Sequence, residues 1–182
     1  AQEMTLDAIA AARRVFPDLD ARPRIEHIAN SHWKPSSLDR LVAHQVVPVP
    51  TAAFMHGAPG DDPGSATPRY LYRTLMEAGL RPPGNSDTAG TQPFATNPLH
   101  GWTCLVGRTN VRGEPIWPEE GISFREAVEV YTVNSAWAGF LERSRGRLAP
   151  GMLGDVAVFS TDVEGLTPAD YQGAQVDFTI ID

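Results

Sequence analysis

A repeated alternation constrains this chain more than any other feature: a short apolar segment is followed, three times over, by a longer stretch whose apolar residues fall at helical spacing. Arg24 to Ile28 reads as a short strand, and Pro35, Ser36 and Ser37 open a helix carrying Leu38, Leu41 and Val42. Gln45 to Pro50 reads as a buried strand with Val46, Val47 and Val49, ended by proline. Thr67 and Pro68 then serve as N-cap and first residue of a helix bearing Leu71, Leu75 and Met76, and Gly79 fits its left-handed cap. Leu80 to Ser86 is expected to form a third strand, and Pro98 to Arg108 a third helix with Leu99, Trp102, Leu105 and Val106. Repetition of this kind requires parallel strands joined by right-handed crossovers.

Loop lengths sharpen the expectation. Links from helix to strand are short, whereas those from strand to helix are long, and Pro50 to Ala66 carries Gly57, Pro59, Gly60, Pro63 and Gly64. A (β/α) barrel shows this asymmetry because its working loops all emerge at the C-terminal ends of its strands. Before the first strand, Leu6, Ile9, Ala10 and Phe16 share a helical face that Pro17 stops. After the third helix, Ser123-Phe124-Arg125-Glu126 is a capping box with Ile122 placed to staple onto Ala127, and Asn134 or Ser135 caps a further short helix through Trp137, Phe140 and Leu141. Beyond Gly146 the texture turns to β, with strands at Val156 to Phe159 and Val176 to Ile181.

Bulk properties exclude several classes. A net charge of −7 with no basic stripe argues against nucleic acid. No apolar run approaches the roughly 18 residues of a membrane span. Cys104 stands alone and so forms no internal disulfide, which favours a reducing, cytoplasmic setting. The chain starts at Ala1 with Met4 to Phe16 already helical in pattern, so a piece of something longer is expected.

His27 and Asp87 are the candidate chemistry. Each falls where a strand gives way to a loop, and an imidazole and a carboxylate at strand C-terminal ends read as half of a metal site. The plainer readings are a hydrogen-bonded strand-end histidine and an aspartate capping the segment after it. Glu26, on the opposite strand face, is expected to pair with Arg24 or a neighbouring helix instead.

These residues belong to an ordered series. Arg24-Ile25-Glu26-His27 and Ser86-Asp87 are followed by Ile122-Ser123 with Glu126-Ala127, Tyr131-Thr132 with Ala136, Gly146-Arg147-Leu148-Ala149-Pro150-Gly151 and Gly154-Asp155-Val156-Ala157-Val158. The series resembles the C-terminal part of the metal-dependent amidohydrolase superfamily, in the branch that includes N-substituted formamide deformylases. The resemblance implies an α/β chain holding strands six to eight of a (β/α)8 TIM barrel over residues 1–145. Residues 146–182 would supply C-terminal strands of a small β-sandwich. It further implies that His27 is the metal-binding histidine after strand six. Asp87 would be the strand-eight aspartate that binds metal and takes the proton of the attacking water. Asn85 departs from the pattern, standing where glycine usually precedes Ser-Asp, and Gly154 stands where alanine usually precedes Asp155. The superfamily's His-x-His pair, bridging lysine or glutamate and strand-five histidine have no counterpart here and would lie before Ala1.

The expected activity of the complete protein is hydrolysis of an amide-like, non-peptide C–N bond in a small molecule, with a divalent metal, zinc foremost. Two ligands fall short of the three a catalytic zinc site takes, so this chain by itself is expected to be inactive. Its strand edges would be covered by the missing N-terminal half or by another copy in a homo-oligomer. His56, in the glycine-rich loop, is a candidate for touching substrate, although a solvated loop histidine is the simpler reading. His32 and His100 read as surface or loop-packing residues, His44 as a helix C-terminal residue, Trp33 and Trp102 as packing residues, Cys104 as a small buried apolar residue and Asp155 as structural. Two readings of other classes stand beside the hydrolase. One is a non-catalytic α/β fragment with a folding or assembly role; the other is an unrelated α/β ligand-binding module, disfavoured because no glycine-rich phosphate loop opens a helix.

Overall fold

The computed structural model describes residues 2–30, 33–61, 67–87 and 93–182. Two strands, β1 (Arg24–Glu26) and β2 (Val47–Val49), lie parallel with Ile25 opposite Pro48. Between them runs α2 (Ser36–Ala43), and α1 (Gln2–Val15) precedes them, its Leu6 fully buried. Leu6, Ile28, Trp33, Leu41, Val46, Leu71 and Leu75 form one apolar cluster, which closes the crossover over the strand pair as a parallel β-α-β unit demands.

The third strand does not form. Residues 80–87 form no regular element and join no ladder, and proline chemistry supplies the reason. Val47 donates to Pro23 O and Val49 O accepts from His27, so both face β1 and Pro48 faces the other way. Pro48 has no amide to offer on that free edge, nor have Pro82 and Pro83 in the segment expected to pair there. The segment is held from elsewhere: Gly84 donates to Val130 O at 2.8 Å and to Ser135 Oγ at 3.1 Å, and Asn134 Nδ2 donates to Pro82 O at 3.2 Å.

The helix expected from Thr67 is also shorter, covering only α3 (Tyr72–Glu77). Tyr70 adopts φ 55°, which no residue inside a right-handed helix can do, and gives its amide to Ala29 O at 2.5 Å. Gly79 takes the left-handed conformation expected of it, φ 80°. Arg108 locks this region from below. Its buried guanidinium donates to Ile116 O at 2.8 Å, to Tyr70 O at 3.0 Å and to Arg69 O at 3.0 Å.

Helix α4 (Pro98–Gly107) begins at Asn97, whose side chain accepts from Leu99 N at 3.0 Å. Helices α5 (Phe124–Tyr131) and α6 (Val133–Ala138) follow. The Ser123/Glu126 capping box is fully made, with Ser123 N donating to Glu126 Oε2 at 2.7 Å. Neither Asn134 nor Ser135 caps α6, because both lie inside it; Ser135 Oγ turns back to donate to Val130 O at 2.8 Å, and Asn134 reaches Pro82. The antiparallel pair β3 (Val156–Phe159) and β4 (Val176–Ile180) ends the chain. Phe159 and Tyr171 pack onto Trp102 and Phe124, so this hairpin shares the larger core with α4 and α5. Among the described residues no helix is long and apolar enough to cross a membrane.

Candidate metal centre

β1 stops at Glu26 because His27 swings into the left-handed region at φ 59°, while its amide still donates to Val49 O at 2.9 Å. Arg24 and Glu26 form an ion pair at 3.0 Å on the strand, which keeps Glu26 away from the imidazole. Asp87 likewise turns left-handed, φ 44°, with its amide donating to Asn85 Oδ1 at 2.8 Å. Left-handed backbone at a non-glycine residue costs of order 1–3 kcal/mol and persists only where surrounding contacts hold it.

The two turns bring His27 Nε2 to 3.5 Å from Asp87 Oδ2, with both side chains part-exposed at 46% and 40%. That separation is long for a charge-assisted hydrogen bond, which closes to about 2.7–2.9 Å. Two donors each about 2.1 Å from a tetrahedral metal stand about 3.4 Å apart, so the observed spacing fits a pair of adjacent ligands. Among the described residues no group of three or more His, Cys, Asp or Glu side chains could hold a metal ion. Among these residues His27 and Asp87 thus offer two donors at a ligand-like spacing, short of a complete coordination sphere.

The supporting shell comes from the strand-to-helix loop after β2. Thr51, fully buried, places Oγ1 3.2 Å from His27 Nδ1 and accepts from Asn85 Nδ2 at 3.0 Å. Thr51 N donates to Asn30 Oδ1 at 2.8 Å, and Phe54 stacks on the imidazole with centroids 5.7 Å apart. Sequence reading missed Thr51, Asn30 and Phe54. Only the position of Thr51 and Phe54 just past a strand-ending proline could have flagged them.

His56 lies in the short 3-10 helix Ala52–Gly57, its ring 4.6 Å from that of Phe94 and 5.1 Å from that of His100. His100 is not a surface residue. It is 1% exposed within α4, and burial, then the neighbouring His56, lowers its pKa. His44 caps α2 as expected. Burial pushes the Cys104 thiol up to about 12, which removes it as a thiolate nucleophile or ligand near neutrality. Asp155 accepts from Arg145 at 2.6 Å and from Asp182 N at 3.1 Å, a structural role. His32 and residues 62–66 and 88–92 lie outside the described residues.

Comparison with known proteins bears on the family and the fold. A family model described as the amidohydrolase family matches residues 1–182. Protein LONG AFTER FAR-RED 3 of Arabidopsis thaliana is 31% identical over 170 residues, 89% of this chain and 28% of that protein. N-substituted formamide deformylase of Arthrobacter pascens is 25% identical over 185 residues, 99% of this chain and 33% of the deformylase. A metal-dependent hydrolase of Pyrococcus furiosus shares the fold, with a TM-score of 0.58 at 22% identity over 80% of this chain and 30% of its own. The chain spans about a third or less of the curated relatives it matches. It belongs to the amidohydrolase family.

Proposed function

We propose that this chain contributes His27 and Asp87 to the centre of a metal-dependent hydrolase that cleaves an amide-like C–N bond in a small molecule. The observation that carries the reading is the 3.5 Å spacing of Nε2 and Oδ2, which suits neighbouring ligands better than a hydrogen bond. A divalent ion such as zinc would supply a water of lowered pKa and a Lewis acid for the carbonyl. His27 would hold it through Nε2. Asp87 would accept the proton of the attacking water at its carboxylate and deliver it to the leaving nitrogen.

Phe54 and His56 lie two residues apart in the 3-10 helix beside this pair, and we assign them to the substrate wall. The relatives' greater length supports a barrel whose earlier strands bring the remaining ligands, with a copy of the chain or its N-terminal complement covering the edge of β1. The shortage of ligands favours the second reading, a non-catalytic fragment, for this chain alone.

Equilibrium dialysis against zinc separates the two. The hydrolase reading expects one zinc per chain, with His27→Ala and Asp87→Asn each weakening it by more than the roughly 10–100-fold that loss of an outer-shell partner costs. Zinc uptake unaffected by both substitutions refutes it.

A further inference from the structure

We propose that Asn85 and Thr51 form a clamp that positions His27 and Asp87 relative to each other. One amide serves both. Asn85 Oδ1 accepts the Asp87 backbone N–H at 2.8 Å, and Asn85 Nδ2 donates to Thr51 Oγ1 at 3.0 Å. The Thr51 hydroxyl then meets His27 Nδ1 at 3.2 Å. Opposite ends of a single side chain are thus tied to the carboxylate's backbone and, through one hydroxyl, to the imidazole.

The chemistry of each member suits the task. A planar amide offers an acceptor and a donor at a fixed separation, so it couples the two loop ends rigidly. A hydroxyl can donate to Nδ1 or accept from Nδ1–H, so it holds the ring under either protonation pattern. When it accepts, the Nε2 lone pair is turned to the Asp87 side, which is the orientation a ligand requires. Thr51 is itself immobilised: it is fully buried and its amide is bound to Asn30 Oδ1 at 2.8 Å. The left-handed conformation of Asp87 also needs this support, since the Asn85 contact is the bond that ties its amide.

The clamp rests on the metal-centre reading for its purpose but not for its geometry, so two readouts are needed. The first is the 15N resonances of the His27 ring in the zinc-free 182-residue chain, at a pH where the imidazole is neutral. The second is zinc affinity. Asn85→Ala reaches His27 only indirectly, through Thr51 on the Nδ1 side and Asp87 on the Nε2 side, yet it is expected to move the Nδ1 resonance and to weaken zinc about 10–100-fold. Thr51→Val should do the same, whereas Thr51→Ser, which keeps the hydroxyl, should match the parent chain in both. Unmoved Nδ1 resonances in Asn85→Ala and Thr51→Val overturn the clamp, as does zinc affinity within twofold of the parent. If His27→Ala binds zinc as the parent does, the metal reading falls and the ring resonances alone decide the clamp.

Discussion

Tyr131 occupies space that two glycines keep open. A Cβ on Gly101 would lie 1.9 Å from its hydroxyl oxygen, and one on Gly84 would lie 2.6 Å from its ring. Gly101 sits inside α4, where alanine is ordinarily favoured by about 1 kcal/mol. Overpacking costs about 1–3 kcal/mol or more, and the two glycines close on the half-buried Tyr131 side chain from two sides. Gly101→Ala is therefore expected to destabilise the chain despite the gain in helix propensity, read as a lower urea midpoint at unchanged slope. A raised midpoint would show that the ring can move. The residue scale is also where sequence reading reached furthest and then stopped. The turn at His27 was legible because β1 and its end are written in local pattern, whereas Asp87 was expected at the end of a strand that does not form. Thr51, Asn30 and Phe54 were not, since what makes them matter is a through-space contact between segments distant in the chain, such as Thr51 with His27 and with Asn30. The burial of His100 was hidden for a similar reason: its neighbours His56 and Phe94 come from other loops.

Helices α4 and α5 could be read directly because their signals are local: Asn97 with Pro98 for one, and Ser123 with Glu126 for the other. Segment 80–86 misled because its place in the strand–helix alternation suited a strand while its hydrogen-bonding capacity did not. Pro48, Pro82 and Pro83 leave the expected ladder short of donors, and Gly84 spends its amide on Val130 instead. The turn between α4 and α5 shows the reverse case, a loop fixed by one carboxylate. Glu114 Oε2 accepts from Asn110 Nδ2 at 2.6 Å, Arg112 Nη2 at 2.7 Å and Gly60 N at 3.1 Å. The Arg112 contact first, then Asn110, holds its pKa down to about 2, against an ordinary 4.5. A depressed carboxylate stabilises the fold above its unfolded value, and that contribution is lost as pH falls through the folded value. Glu114→Gln is accordingly expected to lower the melting temperature at pH 6, by an amount that shrinks below pH 4.5 and is gone near pH 2. A gap between the two melting curves that ignores pH would assign the loop's order to something other than this charge.

At the scale of the molecule, the surfaces left bare are as telling as the core. Two parallel strands cannot close a barrel, and the outer edge of β1 presents the amides of Arg24 and Glu26 with no ladder partner. The blunt edge is β2, where Pro48 has no amide to lend. At the far end, β4 exposes Val176, Phe178 and Ile180, with Phe178 65% and the following Ile181 75% accessible. Apolar side chains on an open strand are a template for association, so the isolated chain is expected to self-associate with rising concentration in sedimentation velocity. Replacing Phe178 and Ile180 together by lysine removes the apolar face while leaving the backbone ladder to β3 intact, and should shift the distribution toward monomer. Hydrogen exchange locates the other edge: Arg24 and Glu26 amides should exchange rapidly in the monomer and slow when a complementary N-terminal polypeptide is supplied. A strictly monomeric chain whose Arg24 and Glu26 amides are already protected would mean that these edges are finished surfaces, and the case for a shared barrel would lose its footing.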